Sequence, residues 1–366
     1  MGAFYCISAQ SMVYLNYIGR KLQAHPAART AGAALARGSA GKGTEERKMN
    51  YYAGIDLGGT FVKCGIIDEV GNILIKGKIP TGAGRPYAEI AADMARLVTD
   101  LAERAGISPA DIKAAGVGSP GIADSKNGVI VYSCNLNWDK VPLSKEMQKH
   151  LGVPVFVTND ANAAALGESF AGAAKNYPSS IFITLGTGVG GGIILDGVLF
   201  EGNRSAGAEI GHMVIRAGGE KCACGRRGCF EAYASATALI RQTKRAMDKD
   251  RASQLWKICP NLEDVDGKTA FDGLRAGDKT AEKVVKNYIS YLAEGIANLA
   301  NIFRPNAVVL GGGVCAEGDT LLVPLRRKVN RLLYGGTKYA PVVLTVATLG
   351  NDAGLVGAAR FAMQNC

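Results

Sequence analysis

A chain of 366 residues, 48% hydrophobic and 20% charged, has the make-up of a folded enzyme and exceeds what one hydrophobic core ordinarily organises, so two domains with a cleft are expected. Seven Lys/Arg against two Glu put +5 of the net +10 on residues 1–48; the mild remainder suits a protein that handles phosphate, and with no basic run interleaved with aromatics it argues against nucleic-acid binding. No uncharged apolar run is long enough to argue for a membrane span, and nine cysteines, three of them within 222–229, point to metal ligation in a reducing cytoplasm over a disulfide framework.

Residues 1–48 lack a basic segment followed by an apolar core, so no signal peptide is expected, and Cys6 stands where a myristoylation motif takes Ser or Thr. Rich in Ala and Gly, they read either as a weak organelle transit peptide or as a disordered extension upstream of a true start at Met49; the second reading is adopted. The predicted elements begin with strand 52–57, the turn Gly58-Gly59-Thr60, strand 61–68 and, after Gly71, strand 72–80. A helix of apolar period covers 87–105, and a strand over 114–118 ends at Ser119-Pro120-Gly121. A β segment at 129–131, a loop holding Asn135-Leu136-Asn137-Trp138 and a helix over 144–151 come next. Strand 153–158 runs through Asn159-Asp160 into a helix over 161–173, with Asp160 near its N-cap.

The opening pattern then recurs as strand 181–185, the run Gly186-Thr187-Gly188-Val189-Gly190-Gly191-Gly192, and strands 193–195 and 198–200, a hint of internal duplication with one phosphate hairpin per domain. After a cysteine-rich loop at 218–228 the prediction is helices 232–249 and 279–303, strand 307–310, Gly311-Gly312-Gly313, helix 321–333, strand 342–347 and helix 353–363, the last returning to the first domain. Strands and helices alternate throughout, so the class is α/β.

Asp56-Leu57-Gly58-Gly59-Thr60 closes a hairpin whose open amides admit an anion while Asp56 helps hold hydrated magnesium, with a plain turn as the alternative; Lys63 on the next strand joins this candidate set. In the second run each strand glycine costs roughly 0.5–1 kcal/mol relative to alanine. Close approach of polyphosphate to Gly186, Thr187 and Gly188 compensates, and a bulged packed strand is the competing account. Gly311, Gly312 and Gly313, at the end of a buried strand, suit the adenosine side of the same nucleotide or a simple turn.

His212 with Cys222, Cys224 and Cys229 offers one imidazole and three thiolates, a closed tetrahedral set that marks structural zinc. Gly225 and Gly228 let the chain fold back so that Cys224 and Cys229 reach one ion. Glu209 and Glu231 flank this cluster, so folding the loop on zinc converges two carboxylates and the second imidazole nitrogen on one polar ligand, for which a hexose is the natural choice. Asp160 is either a helix cap or the carboxylate that accepts the proton of an attacking hydroxyl in phosphoryl transfer; the surrounding set favours the base.

Taken together these residues resemble the ROK (repressor, open reading frame, kinase) sugar kinases, and within them the bacterial glucokinases. The likeness runs from about residue 49 to 360 and includes Gly54-Ile55-Asp56-Leu57-Gly58-Gly59-Thr60, Asn135-Leu136-Asn137-Trp138, Asn159-Asp160-Ala161-Asn162, Gly207-Ala208-Glu209-Ile210-Gly211-His212, the cysteine cluster with Glu231, and Leu349-Gly350-Asn351-Asp352-Ala353-Gly354. The resemblance implies an actin-like, ribonuclease-H-like fold of two α/β domains, the smaller from 49–163 plus 353–366 and the larger from 164–352, closing over sugar and Mg-ATP. It implies Asp160 as base on the 6-hydroxyl of glucose, with Asn159, Glu209, His212 and Glu231 holding the ring, and a homo-oligomer, dimer or tetramer. Ala208 departs from many members and touches pocket shape. Kinases for N-acetylmannosamine, fructose, mannose or allose are the alternatives, and a ROK repressor is disfavoured because residues 1–48 hold no helix pair with a recognition helix.

Overall fold

Short apolar runs separated by glycine turns build the first sheet, and the structure, a computed structural model, describes residues 49–366. The extension expected at 1–48 lies outside the described residues. β1 (Tyr51–Leu57) and β2 (Phe61–Asp68) pair antiparallel from Tyr51 opposite Asp68 to Leu57 opposite Val62. β3 (Ile73–Pro80) alternates half-buried and exposed residues, as an edge strand with one wet face must. α1 (Tyr87–Arg104) presents Ile90, Met94, Leu97, Val98 and Leu101 as one stripe against the sheet. β4 (Ile112–Ser119) returns parallel to β1.

Three short strands follow, of which the sequence predicts only the β segment at 129–131: β5 (Ile122–Asp124), β6 (Val129–Ser133) and β7 (Trp138–Val141) form a small antiparallel sheet of their own. α2 (Leu143–Leu151) leads to β8 (Val155–Asn159), parallel to β4, and the five-stranded order is β3-β2-β1-β4-β8. α3 (Asp160–Phe170) connects to the second half and ends three residues before the predicted boundary.

There the same topology repeats. β9 (Ser180–Leu185), β10 (Val189–Leu195) and β11 (Val198–Phe200) form an antiparallel meander, and after the cysteine loop come α4 (Glu231–Ala234), α5 (Ala236–Lys249), α6 (Leu255–Ile258), α7 (Thr269–Arg275) and α8 (Lys279–Phe303). β12 (Ala307–Gly311) pairs parallel to β9, and across α9 (Asp319–Leu332) β13 (Val343–Val346) pairs parallel to β12. The order β11-β10-β9-β12-β13 matches the first sheet strand for strand and sense for sense, as a duplication requires. The helix predicted over 232–249 is two: Ser235 interrupts it and caps α5, its Oγ accepting from the Ala238 amide at 3.0 Å.

α10 (Ala353–Asn365) crosses back onto β1 and β4 and packs along α3 at backbone distance. A Cβ on Gly54 would stand 1.9 Å from the Leu355 carbonyl oxygen, on Gly116 1.8 Å from that of Ala358, and on Gly357 1.5 Å from that of Ala163. These three glycines serve close packing and not turns. Among the described residues no helix is long and apolar enough to cross a membrane.

Candidate active site

The carboxyl ends of the central strands open on one cavity of about 780 Å³. Its wall includes Asp56, Lys63, Asp160, Glu209, His212 and Glu231, the turn Gly186-Thr187-Gly188, and Gly311-Gly312-Gly313, so segments far apart in sequence converge as the sequence predicts. Gly58, Gly59 and Thr60 form the hairpin turn beyond Asp56 and do not line it; the Gly58 amide donates to the Phe61 carbonyl at 3.0 Å and the Thr81 hydroxyl donates to the Gly58 carbonyl at 2.6 Å.

The junction of β8 and α3 decides what Asp160 does. Asn159, not Asp160, is the N-cap: its Oδ1 accepts from the amides of Ala161 at 2.8 Å and Asn162 at 3.3 Å, and its Nδ2 donates to the Gly121 carbonyl at 2.9 Å. Asn159 is thus tied to backbone groups beside Asp160 and is not among the residues that line the cavity. Asp160, whose Oδ1 accepts from the Ala161 amide at 2.8 Å, is open to the water of the cavity yet crowded by protein on all other sides. That burial pushes its carboxyl up to about 6; the Ala161 amide opposes the shift, and the charges of Asp56 and Glu209 add to it. Across the cavity Asp56 is held by Lys63, Nζ to Oδ2 3.1 Å.

The cysteine loop comes together as the spacing predicts. The ligand atoms of His212, Cys222, Cys224 and Cys229 all lie within 4.8 Å of one another. Cys224 and Cys229 Sγ are 3.7 Å apart, and His212 Nδ1 is 3.8 Å from Cys222 Sγ. Thiolates at ~2.3 Å from a tetrahedral zinc are about 3.8 Å apart, so the donor set and its dimensions fit the ion. Gly225 and Gly228, at φ +88° and +86°, make the reversal, and a Cβ on Gly228 would strike the Arg216 carbonyl oxygen at 1.8 Å. With Nδ1 facing the thiols, Nε2 is the nitrogen His212 has left for the cavity it lines.

Glu231 ties this loop to the glycine turn. Its Oε2 accepts from the Val189 amide at 3.1 Å and its Oε1 accepts from the Cys222 thiol at 3.5 Å. A Cβ on Gly188 would stand 2.3 Å from Oε2. The run 186–192 divides at this point. Its first three residues form the turn at the cavity, whereas from Val189 it is β10, where Gly191 admits Ile210 (Cδ1 at 2.1 Å from an added Cβ) and Gly192 admits Ala165 (2.5 Å). Packing explains those two glycines. Gly312, at φ +95°, passes so near Leu185 that a Cβ would lie 2.2 Å from its carbonyl oxygen, which brings the 311–313 turn beside the 186–188 turn.

Asn135, Thr184 and Asn351 also line the cavity, and sequence reasoning assigned them no role. Glu168 is a further omission. It is 1% exposed, and its carboxylate accepts from the amides of Ala173 at 2.7 Å, Thr348 at 3.1 Å and Leu349 at 2.9 Å, which fixes the segment at 347–351 against the far end of α3. An acid inside the Ala-rich run of that helix was the available signal.

The sequence model of the ROK family matches residues 52–365. The chain is 37% identical to a glucokinase of Thermotoga maritima, over 84% of this chain and 96% of that protein. It is likewise 37% identical to a glucokinase of Streptomyces coelicolor, over 86% and 98%. Among solved structures, a ROK family glucokinase from Streptomyces griseus in complex with glucose and AMPPNP superposes with a TM-score of 0.70 at 36% identity, covering 86% of this chain and 100% of that one.

Proposed function

The chain belongs to the ROK family, with its actin-like fold, and we propose that it transfers the γ-phosphoryl group of ATP to the 6-hydroxyl of glucose. The observation that carries this reading is one cavity in which a carboxylate freed from capping, Asp160, faces both a glycine turn and a trio of polar side chains set around the cysteine loop. The glucokinase relatives and the neighbour that binds glucose and AMPPNP support it.

Glu209, Glu231 and the Nε2 of His212 grip hydroxyls of the hexose ring, and the second amide hydrogen of Asn159 is available to another. The amides of Gly186-Thr187-Gly188 receive phosphate oxygens, while Gly311-Gly312-Gly313 borders the nucleoside. Gly58-Gly59-Thr60 approaches the phosphates as the cleft closes, and Lys63 places positive charge at the transferring group. Asp160 accepts the hydroxyl proton as the 6-oxygen attacks, the O–P bond to ADP breaking in line. Asp56 would hold a hydrated magnesium ion, which when bound neutralises charge on the phosphates. His212, Cys222, Cys224 and Cys229 would hold a structural zinc.

The mobile parts are the two domains 49–163 plus 353–366 and 164–352, closing on the substrates. The protein acts in the cytoplasm, where its thiols stay reduced, as a homodimer or homotetramer that sedimentation will size. The deciding experiment is a coupled assay with ATP across glucose, mannose, fructose, allose and N-acetylmannosamine. Glucose should give the highest kcat/KM; silence with glucose beside turnover of another hexose overturns the substrate, and silence with all overturns the reaction.

A further inference from the structure

A second cavity, of about 440 Å³, lies at the far end of the α3 and α10 pair from the catalytic one. Ser169 and Phe170 of α3, Arg360 of α10, and Lys175, Asn176 and Tyr177 of the following loop line it, with no Asp or Glu among the lining residues. Arg360 is half-buried and lies over Phe170, its guanidinium carbon 4.6 Å from the ring centroid. Stacking uses the face of a guanidinium and leaves the in-plane N–H donors open. No acceptor takes them: among the described residues Arg360 makes no hydrogen bond or ion pair, and the polar side-chain ends of Ser169, Lys175, Asn176 and Tyr177 are uncommitted too.

This contrasts with Arg275, whose two amino groups each hold a carboxylate oxygen at 2.6 Å, from Glu317 and Asp272. A half-buried cation without a counter-charge is costly, and burial accordingly pulls the Arg360 guanidinium below its ordinary value, with Tyr52 opposing. An anion in the cavity offsets that cost. Two cations beside hydroxyl and amide donors match a tetrahedral oxyanion better than a planar carboxylate, which a single bidentate arginine would satisfy.

We propose that this cavity is a second ligand site, which binds a phosphate group, free or as a monoester, between Arg360 and Lys175. The placement gives it a consequence. α3 begins at Asp160, and α10 begins with Ala353 and Gly354, all three in the catalytic wall. A phosphate joining the opposite ends of these helices reaches the catalytic cavity through two rigid elements.

The test titrates inorganic phosphate, and separately glucose 6-phosphate, into the full chain at constant ionic strength by calorimetry, beside K175Q/R360Q. Neither residue touches the catalytic cavity, so kcat measured without added phosphate should agree within about twofold. Wild type should show one more saturable phosphate site than the double variant, and R360K with Lys175 intact should keep it. An isotherm tenfold or more tighter for the ester identifies a sugar phosphate as the ligand, and equal affinity identifies free phosphate. Identical isotherms for wild type and double variant overturn the proposal. Should the double variant melt well below wild type, K175Q alone, on an exposed side chain, is read by the same criterion.

Discussion

At the scale of the single residue, the neighbours Asn159 and Asp160 divide two tasks: either side chain can cap a helix, but only the carboxylate can accept a proton. Asn159 takes the amides of α3, and that leaves Asp160 with one weakly committed carboxylate facing the cavity. Asp160→Asn keeps the shape and removes the base, so kcat should fall roughly 10²–10⁴-fold while calorimetry still finds glucose bound. Turnover within a few fold of wild type would remove Asp160 from that role. The raised carboxyl, about 6, also fixes the sign of the pH dependence. Below it Asp160 carries the proton it must accept, so kcat/KM should climb with pH through about 6 and level off above, and the residual activity of Asp160→Asn should lack this limb. The sequence left Asp160 open between cap and base because a carboxylate at a strand-to-helix junction suits both. Only the backbone geometry, which brings the Ala161 and Asn162 amides to Asn159 Oδ1, separates them.

At the scale of the element, the cysteine loop and the second glycine hairpin are one device, because Glu231, two residues after the ligand Cys229, accepts from the Val189 amide of the hairpin. Loss of the metal should therefore loosen both the hexose side and the phosphate turn. Cys224→Ser, or a chelator, should raise the KM for hexose by roughly 10–100-fold with a smaller fall in kcat. Metal analysis should find one zinc per active chain, and full activity in chelated, zinc-free protein would end this reading. The ligand set was legible because four donors at short spacing around two glycines leave few other uses. The hairpins and both helix-to-strand alternations were legible from period and turn chemistry. Other features were hidden for physical reasons. A glycine looks the same whether phosphate or Ile210 approaches it, so the run 186–192 could not be divided from sequence. Ser235 favours a cap but is tolerated inside a helix, so one serine in the run did not mark the break before α5. Glu168 serves amides 180 residues away, a partnership that no local pattern carries.

At the scale of the whole molecule, α10 makes the two halves of the chain one structure. It leaves the second sheet after β13, lays Leu355 and Ala358 on Gly54 and Gly116 of the first, and lies along α3, which carries Asp160. Glycine is required there by contact, not by turn conformation, since the obstructing atoms are backbone and cannot swing aside. Gly357→Ala places a methyl 1.5 Å from the Ala163 carbonyl oxygen and 2.5 Å from its carbon, so α10 must move away from α3. Overpacking of this kind costs about 3 kcal/mol. The same substitution at Gly267, where an added Cβ meets nothing within 4 Å, supplies the control. Thermal melting should drop by several degrees for Gly357→Ala and hold for Gly267→Ala. The displacement should also reach catalysis, because Gly354, three residues earlier on α10, lies against Asp56 (3.2 Å from an added Cβ to Cγ) and both line the cavity. If both variants melt and turn over as wild type does, α10 packs elsewhere in solution, and the tie between the two sheets must be sought in another element.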